Sequence, residues 1–153
     1  MPSRRLKEYL DKNQVKYISI QHSPAYTSQE IAAESHVPGR ILAKTVIVKI
    51  EGKMAMVVLP ATRKVIIQEL RQALEAEKVT LATEAEFKEL FPDCELGAMP
   101  PFGNLYNMEV YLSPELANNE EIAFNAGTHT ELIKMSYKDF ERLVQPKVIS
   151  FTT

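Results

Sequence analysis

The clearest fold signal in the sequence is the stretch LAKTVIVKIEGKMAMVVLP, residues 42–60. Residues 42–50 place aliphatic side chains on both faces of an extended chain, whose successive side chains point in opposite directions. Residues 51–53 predict a hairpin turn, and residues 54–59 return as a second, almost wholly apolar strand that Pro60 closes. Apolar residues on both faces of two adjacent strands are typical of the middle of a covered sheet or of a closed barrel.

Helices and strands intermix on both sides of this hairpin. Helices are predicted from Ser3 to near Asn13, from the capping box at 27–30, over 65–74, from the capping box at 83–86 and from Ser136; strands are predicted over 17–22, 79–82, 108–112, 121–125, 131–135 and 148–151. Hairpin-length connections dominate the centre. We therefore expect an α/β fold with a mixed, mostly antiparallel twisted sheet flanked by helices, not a doubly wound one.

Composition narrows the class of protein. At 153 residues the chain is expected to form one domain, residues 1–153. A net charge of −2 argues against a broad nucleic-acid face, and so against a DNA-binding protein, but allows a site for one or two phosphates. No membrane span or signal peptide is recognisable, and a single cysteine, Cys94, suits a reducing compartment, so we expect a cytoplasmic protein.

Several common sites have no signal in this sequence. The dinucleotide, P-loop and hydrolase-elbow motifs are absent. The three histidines have no ligand spacing and Cys94 has no CxxC partner, so neither a metal nor another cofactor is expected.

A loop rich in glycine and proline, GAMPPFG at residues 97–103, is the first candidate for chemistry. Proline lacks an N–H and fixes φ, and glycine reaches backbone angles that other residues avoid. The segment therefore predicts a stiff loop that can present peptide N–H groups to a ligand. A plain turn after Glu95 explains the same residues equally well.

Two titratable side chains, one lysine and one histidine, are further candidates in addition to this loop. Lys44 lies in register with a row of aliphatic side chains, where an unpaired ammonium is costly to bury. Either the strand starts at Thr45 and Lys44 reaches water, or Lys44 is held at the strand's start against an anionic or polarised ligand group. His129 follows Gly127 in a polar break between two strands and is either a surface histidine or a site residue.

Taken together, these residues resemble the YbaK/prolyl-tRNA editing family, whose domains deacylate mischarged tRNA. Four pieces match in order: HSPAYT at 22–27; LAKTVIVK at 42–49; the GxxxP loop GAMPP at 97–101, extended by Phe102 and Gly103; and FNAGTH at 124–129, with Met135 downstream. Each motif alone is weak, but their order and spacing are fairly specific. The resemblance implies a twisted mixed sheet closing towards a barrel, with a cleft near the lysine.

The resemblance also implies a reaction and its residues. The reaction is hydrolysis of the ester that joins a small amino acid to the tRNA 3′ end, with a synthetase as a further partner. It implies these catalytic residues: Lys44, Gly97, Pro101 and His129. It implies these substrate-binding residues: His22, Tyr26, Thr45, Pro100, Phe102, Gly103, Asn125, Gly127 and Thr128.

The chemistry of the ester fits such a site. An aminoacyl ester is already activated, so the main need is to stabilise charge on the carbonyl oxygen, which fixed N–H groups can do. The candidate donors are the 97–103 loop and residues 126–128, while Pro100, Pro101 and Phe102 would wall the amino-acid pocket. Lys44 would orient the terminal adenosine or, if desolvated, act as a base. The substrate's 2′-hydroxyl would help to activate water.

Two other classes of function remain open at this point. One is a non-catalytic module of the same fold that holds tRNA ends, amino acids or a synthetase. The other is a small-molecule hydrolase that uses the same cleft. Deacylation of charged tRNA separates all three.

Overall fold

The computed structural model describes residues 4–23, 35 and 37–153. The strands are Tyr17–Gln21 (β1), Leu42–Ile50 (β2), Lys53–Pro60 (β3), Val79–Leu81 (β4), Val110–Leu112 (β5), Glu121–Asn125 (β6), Glu131–Ser136 (β7) and Lys147–Val148 (β8). The α-helices are Arg4–Lys12 (α1), Ile67–Ala73 (α2), Glu84–Phe87 (α3), Pro114–Ala117 (α4) and Tyr137–Val144 (α5). Short 3-10 turns cover Lys88–Leu90 and Gly103–Leu105.

The strands form one mixed sheet. Its order is β1-β7-β6-β2-β3-β5-β8, and β4 pairs with β2 off this path. The pairs β1–β7, β6–β7, β2–β3 and β2–β4 are antiparallel, whereas β2–β6, β3–β5 and β5–β8 are parallel. The predicted mixed, mostly antiparallel sheet is therefore confirmed.

The hairpin predicted from residues 42–60 is the centre of this sheet. β2 and β3 pair in register from Ala43↔Pro60 to Ile50↔Lys53. Glu51 and Gly52 both have positive φ, at 50° and 87°, as the tight turns of twisted hairpins require. The middle of β3, residues 56–59, is fully buried, so the hairpin is covered on both faces as expected.

A fork in the sheet begins at β2. Its first residues pair with β6, through Leu42↔Ala123 and Ala43↔Phe124, and its last three pair with β4. Between these two contacts, residues 44–47 have a strand partner only on the β3 side, among the residues that the structure describes. Lys44 stands at the point where β6 and β4 diverge.

Several predicted boundaries shift. Helix α2 starts at Ile67 rather than Val65, because Val65 forms a bridge with Thr152 and the Ile66 N–H bonds to the Phe151 carbonyl oxygen. The strand predicted over residues 148–151 is also shorter in the structure, since only Val148 of these residues lies in β8.

The two capping boxes have different outcomes. The one at 83–86 is confirmed, with reciprocal hydrogen bonds between Thr83 and Glu86. The one predicted at 27–30 lies outside the described residues.

Candidate active site

Lys44 and Asn125 directly follow the last paired residues of β2 and β6. The parallel pairing of the two strands ends at Ala43↔Phe124, and Asn125 is the last residue of β6. Lys44 is half-buried, and this burial lowers the pKa of its ammonium below the usual range, with the charge of Lys64 lowering it further. The sheet therefore holds a partly desolvated cation at the fork.

Two polar atoms at this end of the sheet have no partner within the described part of the chain. They are the side-chain oxygen of Asn125 and Nε2 of His22, both shielded from solvent. His22 follows β1 and donates its backbone N–H to the Thr130 carbonyl oxygen at 2.9 Å, while its Nδ1 lies 2.8 Å from the Ser23 carbonyl oxygen. Buried polar atoms normally find partners, so these two are suited to contact a ligand.

The glycine–proline loop is tied to the turn after β6. The Glu95 N–H donates to the Gly127 carbonyl oxygen at 2.8 Å, and the Gly127 N–H donates to the Ala98 carbonyl oxygen at 2.9 Å. Gly97 and Gly127 have φ of 86° and 93°, in the left-handed region that favours glycine. Because β6 leads from Asn125 into this turn, it links the lysine's strand to the loop.

His129 packs against this loop. The residue is buried, and a Cβ added to Gly97 would lie 3.4 Å from its Nε2. The Glu95 carboxylate accepts the His129 backbone N–H at 3.0 Å, and its second oxygen lies 3.6 Å from the ring Nδ1. The structure thus brings together Gly97 and His129, two of the predicted catalytic residues.

Three of the predicted amide donors are used inside the protein. The Ala98 N–H bonds to the Glu95 carbonyl oxygen, the Ala126 N–H to that of Glu131, and the Gly127 N–H to that of Ala98. These amides close the two turns and do not point to a ligand, which corrects the assignment of Gly127 as a donor. The Gly97 N–H differs, because its contact is the Met99 sulfur at 3.3 Å, a weak acceptor that a ligand oxygen can replace.

The aromatic wall predicted for the amino-acid pocket is corrected. Phe102 is fully buried, with its ring 5.3 Å from the ring of Phe124 and 5.5 Å from that of Phe140. A ring of this size gains more from core burial than from a solvated loop. Gly103 serves the same packing, since a Cβ there would collide with the Met108 carbonyl oxygen.

The other predicted site residues are dispersed. Pro100 and Pro101 are buried and form the base of the loop rather than its exposed tip. Thr45 points to the opposite face of β2 from Lys44, as strand alternation requires. The Thr128 hydroxyl accepts the Thr130 N–H at 3.3 Å and so shapes the turn that carries His129. Tyr26 lies outside the described residues.

Two neighbours of the site are not among the residues predicted for it. Glu95 belongs to a polar turn, and its contact with His129 spans 34 positions. Lys64 belongs to an exposed basic pair and comes close to Lys44 only because β3 returns beside β2. Strand pairing was predictable at this point, but the position of the chain after Pro60 was not.

Neither a metal site nor a membrane segment is found in the described part of the chain. No group of three histidine, cysteine, aspartate or glutamate side chains is placed to hold a metal ion among the residues described. None of the described helices has the length and apolar character needed to cross a membrane.

The family model of the aminoacyl-tRNA editing domain matches residues 22–143, which include Lys44, the 97–103 loop and His129. The chain belongs to this family. The resemblance read from the four motifs is therefore confirmed, and with it the class of enzyme, the hydrolases of aminoacyl-tRNA esters.

Curated relatives of this editing domain are named as a tRNA deacylase and a tRNA editing protein. The multifunctional Ser/Thr-tRNA deacylase ProXp-y of Escherichia coli K12 is 29% identical over 127 residues, covering 78% of this chain and 75% of the relative. The prolyl-tRNA editing protein ProX of Acetoanaerobium sticklandii is 23% identical over 142 residues, covering 89% of this chain and 86% of the relative.

Solved structures share the fold over nearly the whole chain. A proposed trans-editing enzyme for prolyl tRNA synthetase superposes with a TM-score of 0.84 at 19% identity, covering 99% of this chain and 97% of the other. The hypothetical protein APE2540 gives a TM-score of 0.86 at 21% identity, covering 98% and 100%. At these identities the likeness concerns the fold.

Proposed function

We propose that this editing domain acts in trans and hydrolyses the ester of mischarged tRNA that carries a small amino acid such as alanine, cysteine or serine, with tRNA-Pro-type substrates preferred. One observation carries this proposal: within an editing fold, a partly desolvated lysine and a buried amide oxygen with no partner among the described residues both directly follow the β2–β6 pairing. The Ser/Thr-tRNA deacylase among the relatives adds threonine to the candidate amino acids.

The proposed roles follow from the positions of the side chains. Lys44 and the Asn125 amide oxygen face the terminal adenosine and the amino acid, the lysine meeting a polarised oxygen and Asn125 accepting from a hydroxyl or an ammonium. His22, through Nε2, is a second such acceptor or donor. Because these groups are fixed by strand ends, they orient the ester before reaction.

The hydrolytic step needs no protein nucleophile. Water forms a bond to the carbonyl carbon, the bond to the ribose oxygen breaks, and a water proton passes to that leaving oxygen. Charge gathers on the carbonyl oxygen in the tetrahedral state, and the proposed donor to it is the Gly97 N–H, whose present contact is the weakly accepting Met99 sulfur. His129, whose ring lies beside Gly97, is proposed to contact the attacking water or the substrate's 2′-hydroxyl.

A panel of charged tRNAs tests the proposal. The purified protein is incubated with alanyl-, cysteinyl-, seryl-, threonyl- and prolyl-tRNA-Pro, and release of labelled amino acid is followed. We expect release from at least one non-cognate ester and none from prolyl-tRNA-Pro. Binding of the tRNA without release would favour the non-catalytic module, and release from simple aminoacyl esters alone would favour a small-molecule hydrolase.

The proposed setting is the cytoplasm, where tRNA is charged. A synthetase partner belongs to the same proposal, since a domain of net charge −2 has little surface charge with which to grip tRNA alone. Addition of the matching synthetase to the tRNA assay is expected to lower KM for the mischarged tRNA.

A further inference from the structure

Three exposed cations flank the first residues of β2. Arg40 lies in the turn that precedes β2, and Arg63 and Lys64 follow β3, whose end pairs with the start of β2. The two segments lie against each other, because a Cβ added to Gly39 would be 2.8 Å from Cγ2 of Thr62. The three cationic side chains form one surface, the basic rim.

Both arginines of the basic rim are held by neutral groups. The Arg40 guanidinium donates to the Asn119 side-chain oxygen at 3.3 Å, and Asn119 Nδ2 donates to the Arg40 carbonyl oxygen at 3.1 Å. The Arg63 guanidinium donates to the Thr153 carbonyl oxygen at 2.7 Å. These contacts restrict the two side chains without neutralising them, which lowers the entropy cost of binding an anion.

The basic rim differs in charge pairing from much of the described surface. Neither its three side chains nor Lys44 has a carboxylate within ion-pair distance among the described residues. Glu115 is close enough to Arg63 to be affected by its charge, but its carboxylate accepts the Ser113 hydroxyl. Cations that do have a carboxylate partner lie elsewhere: Arg4, Lys7, Lys49, Lys134, Arg142 and Lys147.

The basic rim is continuous with the candidate active site. Burial and then the charge of Lys64 lower the pKa of the Lys44 ammonium, so Lys64 lies near Lys44. Neighbouring cations repel one another, and they concentrate anions at the surface that they share. The rim therefore extends the positive region of the site along one edge of the molecule.

An aminoacyl-tRNA editing domain must hold the 3′ end of a tRNA, which carries a phosphate for each nucleotide. We propose that the basic rim binds the phosphodiester backbone at the 3′ end of tRNA and directs this end towards Lys44. Two or three phosphate contacts agree with a net charge of −2, which argues against a broad phosphate-binding face. The direction towards Lys44 rests on the proposed function, whereas the binding of phosphate by the rim does not.

Two variants of equal net charge test the position of this surface. The rim variant replaces all three cations of the basic rim by glutamine. The control variant removes three exposed lysines near the opposite end of β2, through Lys53→Gln, Lys78→Gln and Lys88→Gln. Each variant loses three positive charges, so only their location differs.

The first measurement is binding of uncharged tRNA-Pro, which needs no hydrolysis. The rim variant is expected to bind about 20-fold more weakly, and its slope of log Kd against log salt to be smaller by about two, since each single-strand phosphate contributes about 0.7. The control variant should stay within about twofold of the wild type. Equal weakening in both variants, or no tRNA binding by the wild type at low salt, would overturn the proposal.

A shortened tRNA locates the contact. Without its three 3′-terminal nucleotides, the tRNA should bind equally to the wild type and the rim variant, because the phosphates contacted by the rim are gone. An undiminished difference would overturn the assignment to the 3′ end. Arg40→Lys with Arg63→Lys keeps both charges and should bind within about threefold of the wild type. A large loss there would show that the two guanidinium groups serve the structure instead.

Kinetics separate this proposal from the proposed function. With the best mischarged tRNA, the rim variant is expected to raise KM about 20-fold with kcat within about twofold, as for lost substrate binding. An active wild type and an unchanged KM in the rim variant would refute the rim alone. A wild type that hydrolyses no charged tRNA, with binding still lost in the rim variant, would count against the proposed function alone.

Discussion

Two lysines of strand β2 have opposite electrostatic surroundings. Lys49, near the end of β2, forms an ion pair of 2.5 Å with Glu86 on helix α3. Lys44, five residues earlier, is half-buried, next to the Lys64 charge, with no carboxylate within ion-pair distance among the described residues. One end of β2 is thus neutralised, while at the other end the described residues offer no carboxylate to Lys44 and no partner to the Asn125 side-chain oxygen.

The difference indicates that the protein is less stable at Lys44 than a paired lysine there would allow. Both lysines could be paired by a carboxylate at little cost, since ion pairs on a protein surface need only a suitable neighbour. At Lys44 burial and a like charge instead disfavour the ammonium. A site that binds an anionic or polarised substrate can use such an uncompensated charge, so the contrast supports the proposed position of the site at this end of the sheet.

The largest expected effect is the loss of Lys44. Lys44→Ala is expected to lower deacylation of mischarged tRNA by about 100-fold or more, because it removes the group that orients the ester. Lys49→Ala, the matched control, is expected to remain within about twofold of the wild type. Rates under single turnover and circular dichroism of all three proteins check this, and equal losses in both variants would remove the distinction between the two ends.

The second-largest expected effect on deacylation comes from a substitution at Gly97 in the 97–103 loop. Gly97→Ala places a side chain at a φ of 86° and 3.4 Å from His129 Nε2, so it both strains the turn and crowds the ring. We expect a loss of about tenfold in kcat, corresponding to roughly 1–2 kcal/mol of strain. Gly52→Ala, with a similar φ of 87° but open space around it, is the control and should alter stability without altering kcat.

The neighbouring charge of Lys64 should affect binding more than chemistry. Lys64→Ala is expected to raise KM for tRNA a few-fold and to lower the salt dependence of binding by about one unit of slope, as for a single phosphate contact. Lys78→Ala, an exposed lysine beside the β2–β3 turn, is the control. A kcat change with unaltered KM would show that Lys64 acts on Lys44 and not on the tRNA.

The smallest expected effect concerns the contribution of the Lys49–Glu86 ion pair to the stability of the fold. The hydrogen bond from Lys49, with the Thr83 N–H, lowers the pKa of Glu86 from 4.5 to about 2. A folded-state pKa below the unfolded value means that the carboxylate stabilises the fold above pH 4.5 and loses this effect as the pH falls towards 2. Urea unfolding should therefore show Glu86→Gln slightly less stable than the wild type at pH 7 and equal to it near pH 2. A difference independent of pH would contradict the ion pair.

Local chemistry explains which parts of the fold were predictable. The β2–β3 hairpin follows from alternation and the turn at Glu51 and Gly52, and the start of α3 from reciprocal bonds between Thr83 and Glu86. Both depend on residues close together in the chain. The predicted start of α2 was wrong because Val65 pairs with Thr152 instead of joining the helix, and Thr152 lies at the other end of the sequence.

The site was predictable only in part for the same reason. Lys44 stood out because its own strand makes a charge unusual there. The loop that contains Phe102 was recognised, but the prediction that Phe102 lines the amino-acid pocket was wrong. Its packing against Phe124 and Phe140 depends on elements that are distant in the sequence. Glu95 could not be recognised at all, since its partner His129 is reached through hydrogen bonds between two loops.

The most direct measurement maps where an uncleavable substrate binds. An adenosine carrying serine through an amide in place of the ester is titrated into ¹⁵N-labelled protein, and backbone chemical shifts are followed. We expect the largest changes at Lys44, Gly97, Asn125 and His129, with Lys49 and Glu86 unchanged. Changes centred on Lys49 and Glu86, or none at saturating analogue, would contradict the assignment of the active site to the uncompensated end of β2.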